Sequence, residues 1–222
     1  MKETLLQKWC DQAWLYLIYL LGIAMGSLFL IKWSVWDIPQ IFMCLLAIMI
    51  PLHVFEENTL PGGFFYMNNL GRKSDKPLAY PQSRLTNMIT NLGAEVYVIV
   101  LTVFAAQLGA ASVIAAIIFG IGELIHHTRD GVNMYNRYKS KGKTTIYGPG
   151  TITSYVCLLP LSVYGCYWLS EHAFDVKDVL VGVGIMLFII VFLLLIPLGI
   201  SGKVKSTRYA FTSAGYFDKY EK

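Results

Sequence analysis

Six long apolar runs, each closed by a short polar joint or one carrying glycine or proline, organise this chain. They cover about residues 14–32, 38–57, 86–106, 109–127, 152–169 and 179–200. About 20 apolar residues is the length at which a helix crosses a hydrocarbon core. The period-2 alternation that a barrel strand needs is absent. Lipid offers the backbone no hydrogen-bond partners, so runs of this kind predict helices. The expected fold class is all-α, a polytopic transmembrane helical bundle of about six spans forming one integral membrane domain over residues 1–222. The first run is too long for the apolar part of a cleavable signal and is expected to remain as a span. Only Gln107-Leu108-Gly109 separates the third run from the fourth, which predicts a tight antiparallel hairpin.

Composition agrees with a membrane protein. The 222 residues are 55% hydrophobic and 14% charged, with a mean hydropathy of +0.53, where a soluble domain carries about 25% charged residues. The four cysteines are scattered without a CxxC pair and read as free thiols rather than metal ligands. Trp9, Trp14, Trp33, Trp36 and Trp168 mostly flank span ends, as an interfacial aromatic belt does.

Charge supplies the orientation. Of 18 lysines and arginines, 16 fall in the N-terminal segment, the second loop (Arg72, Lys73, Lys76, Arg84), the fourth loop (Arg129, Arg137, Lys139, Lys141, Lys143) and the C-terminal tail. Six spans put these four segments on one side, which the positive-inside bias makes cytoplasmic. Both termini are then expected in the cytoplasm, and the membrane is expected to be a cell (inner) membrane. The basic loops are read as topology signals and contacts to anionic membrane lipids, with no nucleic-acid partner.

Three of the four histidines sit beside carboxylates in two clusters of opposite order, His53-Val54-Phe55-Glu56-Glu57 and Glu123-Leu124-Ile125-His126-His127. Positions i, i+3 and i+4 share a helix face, so each cluster projects an imidazole together with one or two carboxylates. The expected topology brings both to the cytoplasmic ends of two parallel spans. The third span adds Asn87, Asn91 and Glu95, spaced i, i+4, i+8 along one stripe that should face the bundle interior. Nitrogen and oxygen donors converging from several helices suit a divalent metal; zinc is favoured, and iron or manganese also fits the donor set. The plain alternative is a metal-free ion-paired network, or helix-packing glue in the case of the asparagines. Adjacent helix residues point about 100° apart, so His126 and His127 need not both be ligands, and the spacing does not choose between them. His172 falls in an outer loop, away from the site.

Beyond the first cluster, Pro61-Gly62-Gly63-Phe64 and Asn68-Asn69 follow the HxxEE motif. Asn91, His126 or His127, and Tyr147-Gly148-Pro149-Gly150 running into Thr153 and Leu159-Pro160 come later. Over roughly residues 45–165 this pattern resembles the HXXEE family of predicted integral membrane proteins. The resemblance implies a membrane protein with a catalytic or metal-binding motif and no particular reaction. It adds Asn68 and Tyr147 to the residues expected to contact substrate or support the ligands. A polar stretch over about 128–146 separates the histidines from the Tyr-x-Pro-Gly turn.

The leading functional expectation is a membrane-embedded metal-dependent hydrolase acting on a lipid or other amphipathic substrate. HxxEE resembles the inverted H-x-x-E-H zinc motif, in which ligands flank a glutamate base. His53 and Glu57 would hold the metal, Glu56 would act as general base, and Glu123 with His126 or His127 would complete the ligands. A di-metal lipid oxidoreductase, such as a di-iron enzyme, is a second reading. A proton- or metal-coupled transporter using Glu95 and Glu123 is a third. The charge bias yields a topology test. Cysteines substituted at Lys73, Lys141 and Lys203 should all react with a membrane-impermeant maleimide from the cytoplasmic face, and one at Lys177 from the opposite face. A split among the first three contradicts six spans.

Overall fold

A computed structural model describes residues 4–221. Their regular structure is all helical, with no strand among the described residues. Six helical segments are long and apolar enough to cross a membrane. They are α1 (Leu5–Lys32), α2 (Ile38–Asn58), α4 (Arg84–Leu108), α5 (Ala110–Lys141), α6 (Thr151–Glu171) and α7 (Val176–Val204). A short helix, α3 (Phe64–Gly71), lies between α2 and α4. The predicted spans are all present, and the real helices extend past them.

Local chemistry sets several of the helix starts. Thr4 with Gln7 and Ser83 with Thr86 close capping boxes at α1 and α4, and Asp175 with Asp178 does so at α7. The start of α6 is different. Its N-cap is Gly150, at φ 92°, with no side chain to offer its orphan amides.

Two expectations change. The third and fourth spans are joined by Gly109 alone, at φ 53°, yet they pack on each other only slightly. Antiparallel helices need a connection of about 2–5 residues to lie side by side, and one residue turns a corner instead. The helix α4 packs chiefly on α2, and α5 on α6 and α7. Secondly, much of the polar stretch after His127 is helix. Regular α5 continues to Tyr138, 29 residues in all, or about 44 Å at 1.5 Å per residue. That exceeds a hydrocarbon core of about 30 Å, so its last turns project beyond the apolar layer.

The bundle is centred on α2, which contacts α1, α4 and α5. Phe42, Met43, Ala47 and Val54 of α2 are buried with Trp14, Val98, Val113 and Leu158. Small residues let neighbouring helices approach. A Cβ at Gly120 would lie 2.3 Å from Ser162 Oγ of α6, and one at Gly182 would lie 2.7 Å from the Ala111 carbonyl. Outward faces carry exposed Leu20, Ile23, Phe104, Val156, Leu180 and Phe192, as lipid-facing surfaces require. Pro197 has no N–H for the carbonyl four residues earlier; the Thr90 hydroxyl of α4 donates to that Leu193 oxygen at 2.7 Å.

A second, smaller core forms beyond the cytoplasmic ends expected of the spans. Phe64, Phe65 and Met67 of α3 pack with Met134 and Tyr138 of α5 and with Phe217 and Tyr220 near the C-terminus. Glu221 ties this layer together, accepting from the phenols of Tyr66 at 2.8 Å and of Tyr138. Lys143 is buried here; its ammonium donates to the Tyr147 carbonyl at 2.5 Å and lies over the Tyr216 ring. Burial, with Lys219 nearby, pushes that ammonium down to about 8. This layer seals the end of the bundle at which both histidine clusters lie.

Candidate metal centre

The two clusters meet. His53 and Glu57 from α2 and His127 from α5 each offer a ligand atom to a common point, all within 4.8 Å of one another and all buried. The Nε2 atoms of His53 and His127 are 3.1 Å apart. Glu57 Oε1 lies 3.4 Å from the first and 3.3 Å from the second. Glu123 Oε2 lies 3.7 and 3.4 Å from the same two nitrogens. A tetrahedral ion with nitrogen and oxygen ligands at about 2.0–2.2 Å sets ligand-to-ligand separations of about 3.3–3.6 Å. The observed separations, 3.1 to 3.7 Å, bracket that range, so this buried group could hold a metal.

Hydrogen bonding selects the tautomer of His53. Thr153 Oγ1 lies 2.7 Å from His53 Nδ1 and 2.7 Å from Glu56 Oε2. The Thr153 hydroxyl donates to Glu56 Oε2, so its oxygen accepts from the imidazole Nδ1–H. The Nε2 lone pair is then left facing His127, Glu57 and Glu123. Support of this kind from behind a ligating histidine is how metal sites fix their ligands. His127 is held differently. Gly150 leaves room for its ring, and a Cβ there would come within 2.1 Å of Cε1. Phe64 packs on the same ring with centroids 4.9 Å apart. Nδ1 of His127 is buried without a hydrogen-bond partner.

Glu56, expected as the general base, faces the start of α6. Its two oxygens accept from the Ile152 and Thr153 amides, at 3.0 and 2.8 Å, as well as from the Thr153 hydroxyl. It therefore supplies from α2 the cap that Gly150 cannot give α6, at the helix end where a negative charge is favoured. The pair of adjacent glutamates divides accordingly: Glu57 turns to the histidines and Glu56 to the helix terminus. His126 also leaves the group expected of it. Its Nε2 lies 3.2 Å from Asp130 Oδ2, one turn further along α5, because neighbouring helix positions point apart.

A cavity of about 320 Å³ opens beside the cluster. Ile50 of α2, Ala94 of α4, Phe119 of α5 and Met186 of α7 give it apolar walls, while Glu123, Asn68, Gln82 and Asn91 line its polar end. The asparagines belong to one chain of amides. Arg72 Nε donates to Asn68, Asn68 to Gln82 at 2.5 Å and Gln82 to Asn87 at 2.9 Å; Asn87 bonds Asn58, and Asn91 donates back to Asn87. Asn68 and Asn91 thus reach the cavity, whereas Asn87 links α4 to the end of α2. Glu95 is fully buried, does not line this cavity, and both its oxygens lack a hydrogen-bond partner. Tyr147 packs edge-on against Tyr216 rather than in the cavity. Burial and the neighbouring Glu56 carboxylate hold its phenol above the ordinary tyrosine range. His172 is in the exposed segment between α6 and α7, stacked on Trp168. Gln82 and Asp130 enter the site without any motif to announce them. Gly150 had a signal in the Gly-Pro-Gly turn before α6.

A family described as protein of unknown function with HXXEE motif matches residues 44–165. The chain belongs to the HXXEE family. The match spans both histidine clusters, the amide chain and the start of α6, so in this family member the motif's histidine and second glutamate face the metal-capable group while its first glutamate caps a helix. No curated protein and no solved structure matches the chain significantly.

The geometry makes two predictions. Glu56→Gln should weaken zinc binding about 10–100-fold, as losing support behind a ligand does, through the broken Thr153–His53 chain. Gly150→Ala should displace the His127 ring and weaken binding further, with helicity by circular dichroism largely kept. Unchanged metal affinity in both variants would contradict this arrangement.

Proposed function

We propose that this HXXEE-family protein is a zinc-dependent hydrolase of a lipid or other amphipathic molecule at the cytoplasmic face of a cell membrane. The observation that carries the reading is the buried group of His53, Glu57 and His127, with Glu123 3.4 Å from His127, beside an apolar cavity within the bundle. The donor chemistry, two imidazoles and carboxylate oxygen, matches catalytic zinc sites built from three protein ligands. When bound, zinc would polarise the scissile group and lower the pKa of a water to about 7.

The chain's residues divide the remaining work. His53, Glu57 and His127 are buried and serve as the three ligands. Glu123 is less buried and lines the cavity. We assign it the base role that Glu56 is not placed to fill: Oε2 takes a proton from the attacking water and returns it to the leaving oxygen. Asn68 and Asn91 orient the polar part of the substrate, and the apolar walls exclude bulk water. One metal-capable group is present among the described residues, which favours a mononuclear site over the di-metal oxidoreductase. The transporter reading draws on Glu95, a buried carboxyl without a partner inside a span. Proteoliposome flux of an unmodified substrate would support it.

Purified protein should carry about one zinc per chain, and His53→Ala should remove it. Glu123→Gln should keep some metal and lose about 10²–10⁴-fold in turnover, the usual contribution of a positioned base. Full activity in Glu123→Gln, with Glu56→Gln inactive but metal-loaded, would return the base role to Glu56. Metal-free wild type would end the reading.

A further inference from the structure

We infer that the site takes an amphiphile with a single apolar chain and a phosphate-type anionic head, the chain in the cavity beside Glu123 and the head on Arg72 and Arg129. The inference rests on the cluster being where chemistry occurs, but its claim about binding can be tested separately.

A second cavity, about 390 Å³, is lined by Asn68, Arg72, Arg129, Asp130 and Asn133. It shares wall residues with the apolar cavity. Asn68 lines both cavities, and His126, a wall of the first, pairs with Asp130, a wall of the second. A molecule spanning both cavities would have its apolar end among membrane helices, its middle beside Glu123, and its polar end between two guanidinium groups.

The charge there selects an anion. Two arginines face one carboxylate, and Asp130 is already engaged by His126 at 3.2 Å and by Arg129 Nε at 2.9 Å. Arg72 uses its Nε–H on Asn68 Oδ1, at 3.2 Å. Both guanidinium groups keep their terminal N–H donors for a ligand, and that planar fork matches phosphate oxygens in pairs. Arg72 is also the first member of the amide chain, so a head group bound there is mechanically tied to Asn68 at the reacting end. The apolar cavity is near the lower bound of small-ligand pockets, about 300–1,000 Å³; it accommodates one chain, not two.

The test is equilibrium binding to purified protein in a neutral maltoside detergent, with dodecyl phosphate, dodecanol and inorganic phosphate as probes, on zinc-loaded and chelator-treated protein. Dodecyl phosphate should bind at least about tenfold more tightly than either other probe, the difference a charge-assisted hydrogen bond makes. Replacing both arginines (Arg72→Gln with Arg129→Gln) should bring it down to the dodecanol level. Ala94→Phe, which narrows the chain cavity, should weaken dodecyl phosphate but not inorganic phosphate. Equal binding of dodecyl phosphate and dodecanol, or indifference to the arginine changes, overturns the head-group site. Inorganic phosphate binding as tightly as dodecyl phosphate overturns the chain. Selective binding without zinc or turnover would sink the hydrolase and leave this inference standing.

Discussion

Two carboxylates and two imidazoles packed 3.1–3.7 Å apart inside a helical bundle need something to balance them. Burying ionised groups without partners is costly, and more so at membrane depth. The imidazoles cannot both supply the missing positive charge. Two imidazolium rings here would meet nitrogen to nitrogen at 3.1 Å. One divalent cation held by His53, Glu57 and His127 could balance the group, with Glu123 beside it. The rest of the arrangement reads as the scaffold that keeps these donors aimed at one point.

That scaffold depends on α2 and the start of α6. Glu56 caps α6 across the gap, and the capped residue Thr153 fixes His53. Gly150, immediately before, vacates the space that His127 fills. One turn of helix therefore sets both imidazoles, one through hydrogen bonding and the other through the absence of a side chain. The smaller core of α3, the end of α5 and the C-terminal turn packs at this end of the bundle. It also places Phe64 against His127 and Asn68 in the cavity wall.

The spans were legible because lipid leaves an apolar run of that length few alternatives to helix. Pairing of the clusters was legible because positions i and i+4 share a face and both runs end at the same depth. What stayed hidden depended on partners distant in sequence. Nothing in Glu56-Glu57 says which carboxylate turns inward; the uncapped amides of α6, almost 100 residues later, decide it. His126 and His127 were equivalent by spacing until Asp130 claimed one and Gly150 admitted the other. The hairpin expected around Gln107–Gly109 failed because short connection length was read as side-by-side packing. The polar residues after His127 suggested a loop, but a helix leaving the hydrocarbon layer is free to be polar.

The central claim is that His53, Glu57 and His127 ligate one metal, with a further oxygen at the fourth position. Zinc K-edge absorption spectroscopy on the purified protein tests it most directly. The expected result is about one zinc per chain, bound by two imidazoles and oxygen donors at about 2.0–2.2 Å, with one imidazole lost in His127→Ala. A metal-free protein, a site with sulfur ligands, or a spectrum unchanged by His127→Ala would contradict it.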